Sequence, residues 1–188
     1  MIIFLNGTSS SGKSSIAAEL LRELDTPFFH MSVDAFGAMR AVERTLELDV
    51  PAQQELLRRT RAGFHRAVAG MAAAGNDVVM DHVLSEPWRL QDCLDVFEGL
   101  DVVLVAVHCP LDVLERRERA RGDRTVGAAA QQLQEVHRHR LYDFQVDTSA
   151  HSARQCARAI KEFVARPVRG RVFDELRGRA RGHDPSAT

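Results

Sequence analysis

The segment Gly7-Thr-Ser-Ser-Ser-Gly12-Lys13-Ser14 matches the pattern G-x-x-x-x-G-K-S/T, between the apolar run MIIFL (residues 1–5) and an amphipathic stretch. No other feature restricts the fold as strongly. Such a loop cradles an oxyanion when its glycines let successive backbone N–H groups turn inward and a helix follows to add the positive end of its dipole. A strand, a tight loop and a helix are therefore required in that order at the start of the chain. With glycine at about 7% of residues, an accidental match arises in roughly one chain of this size per hundred, and this context would then be absent. Residues Gly7, Thr8, Ser9, Ser10, Ser11, Gly12, Lys13, Ser14 and Ser15 are expected to hold the phosphates of a nucleoside triphosphate. Lys13 would reach the β- and γ-phosphates, and the Ser14 hydroxyl would ligate Mg²⁺.

Lysine usage reinforces this reading. The basic residues are 23 arginines and only two lysines, Lys13 and Lys161. A compact ammonium fits a tight phosphate cradle where a planar guanidinium fork does not. The formal net charge of −1 over 188 residues provides no global field toward nucleic acid or an anionic membrane. Cys93, Cys109 and Cys156 are odd in number and scattered, which argues against a disulfide framework or zinc site and suits a reducing compartment. The apolar start is too short for a signal segment, and no stretch approaches a membrane span, so a cytoplasmic location is expected.

Periodicity predicts strands at residues 1–5, 28–33, 77–81, 101–108 and 144–147. Helices are predicted at 14–24, 53–74, 87–97, 111–120, 128–140 and 152–165, the last opened by a Ser152/Gln155 capping box. Residues 35–52 show no clear pattern, and Pro51 breaks what pattern there is. Strands alternating with helices of ten or more residues imply a parallel sheet covered on both faces. Residues 1–165 read as one domain with a lid at about 115–140. Residues 166–188, with six arginines and few apolar side chains, read as a basic, flexible, solvated tail in which Val172, Phe173 and Leu176 could anchor one helical turn. A basic arm that contacts RNA or a partner subunit is the rival reading of this tail.

Three further features carry chemistry. Asp34 ends the second strand, where ligands of open α/β sheets sit, so it suits a base that takes a hydroxyl proton during phosphoryl transfer. It equally suits a helix N-cap. Asp81 closes DVVMD and suits either a Mg²⁺ partner of Ser14 or a strand-end cap. His82 beside it is either a substrate contact or a local hydrogen-bonding residue. In RRERARGDR (residues 116–124), Arg117 and Arg121 share a helix face and Arg124 follows a Gly122 break. Arg117 could stack on adenine while Arg121 and Arg124 neutralise charge on the transferring group. A solvated helix whose arginines pair with Glu115, Glu118 and Asp123 is the alternative. Phe36, Met39 and Trp88 are candidates for apolar contacts to a substrate. No N-K-x-D guanine reader is present.

On the segments LNGTSSSGKS, VVMDHV, VAVHC, RERARGDRTVGAAAQQ and YDFQVDTS, the chain resembles the chloramphenicol phosphotransferase-like family of P-loop kinases over about residues 2–164. The resemblance implies an adenylate-kinase-like five-stranded parallel sheet, with ATP and Mg²⁺ serving phosphorylation of a hydroxyl on a small molecule, such as an antibiotic. It matches Asp34 to the family's base, Lys13 and Ser14 to its phosphate loop, and Arg121 and Arg124 to its lid arginines. Residues 147–149 fall where such kinases hold adenine. Two departures concern the acceptor: residues 35–52 are shorter than in the chloramphenicol enzyme, and His82 stands where a second acid is expected. The strand order 2-3-1-4-5 is expected. A nucleoside or sugar kinase, and a non-catalytic ATP-binding switch, are the alternative functions. Homo-oligomerisation stays open.

Overall fold

A computed structural model describes residues 1–121, 127–167 and 170–182, apart from the side chains of Arg121 and Ala128. Strand β1 (Ile2–Asn6) is buried along its whole length and lies at the centre of a five-stranded parallel sheet of order β2-β3-β1-β4-β5, as expected. The others are β2 (Phe28–Ser32), β3 (Asp77–His82), β4 (Val102–His108) and β5 (Phe144–Asp147). Successive side chains of a strand point to opposite faces. Ile2 and Phe4 therefore enter one apolar layer, with Phe64, Val68, Met80 and Phe97, while Ile3 and Leu5 enter the other, with Ile16, Leu20, Cys156 and Ile160. Burial on both faces explains why MIIFL and VVLVAV read as continuous apolar runs.

The first layer is roofed by α4 (Val50–Ala73) and α5 (Pro87–Val96), the second by α1 (Lys13–Glu23) and α8 (Ala153–Val164). The α8 capping box of Ser152 and Gln155 is present. Residues 35–52, patternless in sequence, contribute α2 (Val33–Ala38) and α3 (Val42–Leu46). Helix α4 begins three residues earlier than predicted: Asp49 caps it, accepting a bond from the Ala52 N–H at 2.8 Å, and Pro51 sits in its first turn, where a missing N–H is harmless. Beyond β4 come α6 (Leu111–Arg121) and α7 (Ala128–Val136). Helix α7 stops four residues short of expectation, and the Asn6 amide donates to its last carbonyl, Val136 O, at 2.8 Å. Among the described residues no helix is long and apolar enough to cross a membrane.

The solvated tail expected from residue 166 needs correction over its centre. Val172–Arg181 forms α9, docked on the first layer. The Phe173 ring lies 6.0 Å from Phe4 and 6.1 Å from Phe97, and Leu176 is buried beside it. Arg177 is itself buried, its Nε donating to Leu94 O at 2.9 Å. The Asp143 carboxylate accepts from Val172 N at 3.0 Å and Leu104 N at 2.7 Å, joining the start of α9 to the sheet. Three apolar residues among so many arginines were too few to signal a core helix. Residues 183–188 lie outside the described residues.

Truncating a buried phenylalanine removes its transfer free energy and leaves a cavity. Phe173→Ala is expected to lower stability by about 3–5 kcal/mol, measured by urea denaturation. The exposed Arg179→Gln should stay within about 0.5 kcal/mol of the parent.

Candidate active site

The phosphate loop leaves β1 under two backbone constraints. A Cβ on Gly7 would lie 2.6 Å from Val107 O, so only glycine lets the loop pass this close to β4. Gly12 has φ +97°, the left-handed conformation that turns the chain into α1. Thr8, Ser9, Ser11 and Lys13 are buried, and the hydroxyls of Ser10 and Ser11 are buried without a hydrogen-bond partner among the described residues. Buried hydroxyls in that state suit a ligand rich in acceptor oxygens. Lys13 Nζ donates to Thr8 O at 2.8 Å and lies 3.7 Å from Asp81 Oδ1.

Asp81 stands where three strand ends meet, in register with Leu5 of β1 and Ser32 of β2. The Ser14 hydroxyl donates to its Oδ2 at 2.6 Å, and His30 Nε2 lies 3.9 Å away. Burial raises the pKa of such a carboxyl, but His30, the Lys13 ammonium and the Ser14 hydroxyl outweigh burial and hold it below the ordinary value. Asp81 is therefore ionised at neutral pH. Hydroxyl and carboxylate together form a hard oxygen pair, the donor set a divalent cation takes.

The capping role open to Asp34 falls to Ser32, whose hydroxyl accepts from Ala35 N at 3.1 Å. Asp34 is instead the second residue of α2. It is exposed and lines the phosphate recess together with Lys13, Ser14 and Asp81. It also lines an adjoining cleft of about 310 Å³ between α2, α4 and the β3–α5 connection. One carboxylate thus belongs to both spaces.

The apolar contacts expected around an acceptor lie elsewhere. Phe36 packs on Phe64, with ring centroids 5.6 Å apart, and joins the core. Met39 is 79% exposed, and Trp88 borders a separate cleft with Arg58 and Arg61. His82 as a substrate contact is also corrected, because its ring is fully buried between Phe4 and Phe64. His82 Nε2 is 3.0 Å from His65 Nε2, and His65 Nδ1 is 2.6 Å from the Asp92 carboxylate. Burial lowers both imidazole pKa values, so this pair is neutral and one nitrogen of the central contact donates to the other. The cleft beside Asp34 is lined instead by Arg40, Thr60, Arg61, Ser85, Arg89 and Gln132. Sequence did offer one signal for Arg61. Arg58 and Arg59 pair with Glu55 on α4, whereas Arg61 has no acid three or four positions away.

On the other side of the loop, a cleft of about 440 Å³ is lined by Ser10, Gly12, Ser15, Arg117, Thr148 and Ser152, among others. Arg117 donates to Thr148 Oγ1 at 2.9 Å, Thr148 O at 2.8 Å and Ser10 O at 3.3 Å, and the Thr148 hydroxyl donates to Ser11 O at 2.7 Å. The structure thus brings Arg117 and the 147–149 turn together against the phosphate loop. Glu118, read as a surface pairing partner, is fully buried and accepts from Gly127 N at 3.0 Å and Ala129 N at 2.9 Å, fastening the start of α7 to α6. Gln132 Oε1 then accepts from Ser9 N at 2.7 Å, which ties α7 to the loop. Gln132 and Ser9 lie 123 residues apart, and Glu118 meets partners 9 and 11 residues on, beyond helical spacing, so no local pattern announces these contacts. Arg124 and the Arg121 side chain lie outside the described residues.

Comparison with known proteins agrees with this geometry. Residues 1–165 match the family described as chloramphenicol phosphotransferase-like protein. A Mycobacterium tuberculosis (strain H37Rv) protein bearing the provisional name O-phosphotransferase is 29% identical over 198 residues, covering 95% of this chain and 88% of its own length. Among solved structures, the Deinococcus radiodurans tunicamycin resistance protein superposes with a TM-score of 0.66 at 21% identity, over 90% of this chain and 98% of the other. The Mycobacterium tuberculosis APS kinase, solved with AMPPNP and APS, gives 0.63 at 19%, over 88% and 97%. A Sinorhizobium meliloti gluconokinase gives 0.61 at 20%, over 93% and 94%. The chain is a kinase-like phosphotransferase of the P-loop kinase fold and belongs to the chloramphenicol phosphotransferase-like family.

Proposed function

We propose that this protein transfers the γ-phosphoryl group of ATP to a hydroxyl of a small molecule seated in the cleft between α2 and α4. The observation that carries the reading is the position of Asp34 on the shared wall of that cleft and the phosphate recess. A hydroxyl entering from the cleft meets a carboxylate on its way to the phosphate. The acceptor oxygen forms a bond to the γ-phosphorus and the bond to the β–γ bridging oxygen breaks. ADP leaves, and the hydroxyl proton passes to Asp34.

The orphaned hydroxyls of Ser10 and Ser11 and the left-handed Gly12 support a polyphosphate in the recess. Lys13 balances its charge from within, and the Arg117–Thr148 side of the loop would flank the base. Ser14 and Asp81 would hold Mg²⁺, which would neutralise charge on the phosphates. Arg121 and Arg124 are assigned by family motif to the transferring phosphoryl group. The family name and the tunicamycin resistance neighbour support an antibiotic acceptor. The APS kinase and gluconokinase neighbours support a hydroxylated metabolite instead.

Purified protein with Mg²⁺ and ATP, offered phenicols, aminoglycosides, nucleosides and sugar derivatives, is expected to release ADP and yield one product with an added phosphate by mass spectrometry. Asp34→Asn should lower kcat for that acceptor by about 10²–10⁴-fold with unchanged ATP affinity. Turnover equal to the parent would remove Asp34 from the mechanism. Arg117→Ala is expected to raise KM for ATP by about tenfold and leave KM for the acceptor unchanged, because its charge-assisted bonds hold the nucleotide side of the loop.

A further inference from the structure

The cleft beside Asp34 has a charge pattern that a neutral acceptor does not explain. Its lining includes three guanidinium groups, those of Arg40, Arg61 and Arg89, against one carboxylate, that of Asp34. They come from three separate segments: the turn after α2, helix α4 and helix α5. Several arginines elsewhere on the surface are matched to acids, such as Arg44 to Glu47 and Arg138 to Glu135. In the cleft the matching is incomplete. Arg61 makes no hydrogen bond or ion pair among the described residues. Arg40 donates to Gly37 O at 2.5 Å, and its buried Nε has no hydrogen-bond partner among the described residues.

Arg89 is 7% exposed, with Nη1 on Val83 O at 2.9 Å and Nη2 on Glu86, while its buried Nε also lacks a partner. Burial, and after it the nearby Arg61 charge, push the Arg89 pKa below its ordinary value, so the two guanidiniums repel across the cleft. Glu86 answers part of this: it pairs with Arg89 and its charge also reaches Arg61, which borders the neighbouring Trp88 cleft with it, but its Oε2 is shared with Trp88 Nε1 at 2.9 Å and one carboxylate does not match two guanidiniums. A neutral molecule filling the cleft would strip water from guanidiniums without replacing those bonds, which is unfavourable. An oxyanion accepts from such forks in pairs.

Resting on the phosphotransferase reading above, we propose that the acceptor is a small hydroxylated oxyanion. Its carboxylate, or its phosphate or sulfate ester, lies on Arg61, Arg89 and Arg40, and its hydroxyl lies at Asp34. Thr60, Ser85 and Gln132 on the same walls supply neutral polar contacts for the remaining hydroxyls. A cleft of about 310 Å³ is at the small end of ligand sites, which suits an acid of sugar size.

The test starts with protein saturated with Mg²⁺ and a non-hydrolysable ATP analogue, so that the phosphate loop is filled. Sulfate is then titrated against chloride at equal ionic strength, with binding followed by calorimetry and thermal midpoint. The expected result is saturable sulfate binding that weakens about tenfold or more in Arg61→Gln and in Arg40→Gln, with analogue affinity unchanged. Circular dichroism checks that both variants are folded, and using two separate segments, helix α4 and the turn after α2, guards against a local defect in either.

In turnover, gluconate and glucose 6-phosphate are compared with glucose, which shares their skeleton without the charge. Preference for one anionic form identifies the oxyanion. Sulfate indistinguishable from chloride overturns the proposal. So do variants that bind sulfate as the parent does, variants that lose the nucleotide analogue instead, and glucose turned over as well as its acids. Failure of the parent to bind the analogue overturns the phosphotransferase reading and the acceptor assignment with it. Analogue binding without a sulfate effect overturns only the acceptor assignment.

Discussion

The buried carboxylate of Asp81 is the constraint on which the site depends. A charge removed from water must find compensation, and Asp81 finds it in three places at once: the Ser14 hydroxyl, the Lys13 ammonium and the neighbouring His30. Ser14 and Lys13 open α1, His30 lies on β2, and Asp81 is next to the end of β3. One side chain therefore sets the phosphate loop against the strand ends on its acceptor side. The close approach of Gly7 to Val107 O sets the loop against β4 on the other side. Between these contacts the loop has little freedom, and the conformation that leaves the Ser10 and Ser11 hydroxyls unpartnered is maintained.

Parallel pairing turns this local arrangement into a site. All five strands point the same way, so their polar ends collect at one edge of the sheet. Asn6 is the joint there: it donates to Val136 O and to the Tyr142 hydroxyl at 2.8 Å, and accepts from Leu84 N at 3.0 Å. The end of α7 and the turn after β3 are thereby held to the central strand. The Asp92 carboxylate and the neutral His65–His82 pair do similar work deeper in the core, fastening α5 and α4 to the end of β3. His82 thus supports the cleft from behind and never reaches it.

Charge divides the arginines into distinct roles. Arg177 is a core residue that completes the hydrogen bonding of α5, and Arg117 is a clamp on the phosphate loop. Arg61 and its two neighbours converge on a space that contains one carboxylate. All of these side chains look alike in the sequence, where a run of arginine reads as solvated surface. Their difference lies in whether an acid is near in space, and for Arg61 the absence of an acid at helical spacing was the only local hint.

The sequence by itself determined the phosphate loop, the five strands, their flanking helices and, through the family motifs, their order. These are properties of spacing along the chain: a fixed glycine pattern, periods of two and 3.6, and caps such as Ser152 with Gln155. Asp34 and Asp81 were legible for the same reason, as acids that follow apolar runs at the sheet edge. Tertiary structure alone decided what stood between them. It put Phe36 and His82 into the core, gave the helix cap to Ser32, buried Glu118 as a cap for α7 and docked α9 through Phe173. It also gathered Arg40, Arg61 and Arg89, spread over 50 positions of chain, into one cleft. Apart from the Ser32 cap, whose partner lies three residues along, these outcomes depend on partners beyond local spacing, chosen by shape and by the need to satisfy a buried charge or hydrogen bond. No local spacing records that choice.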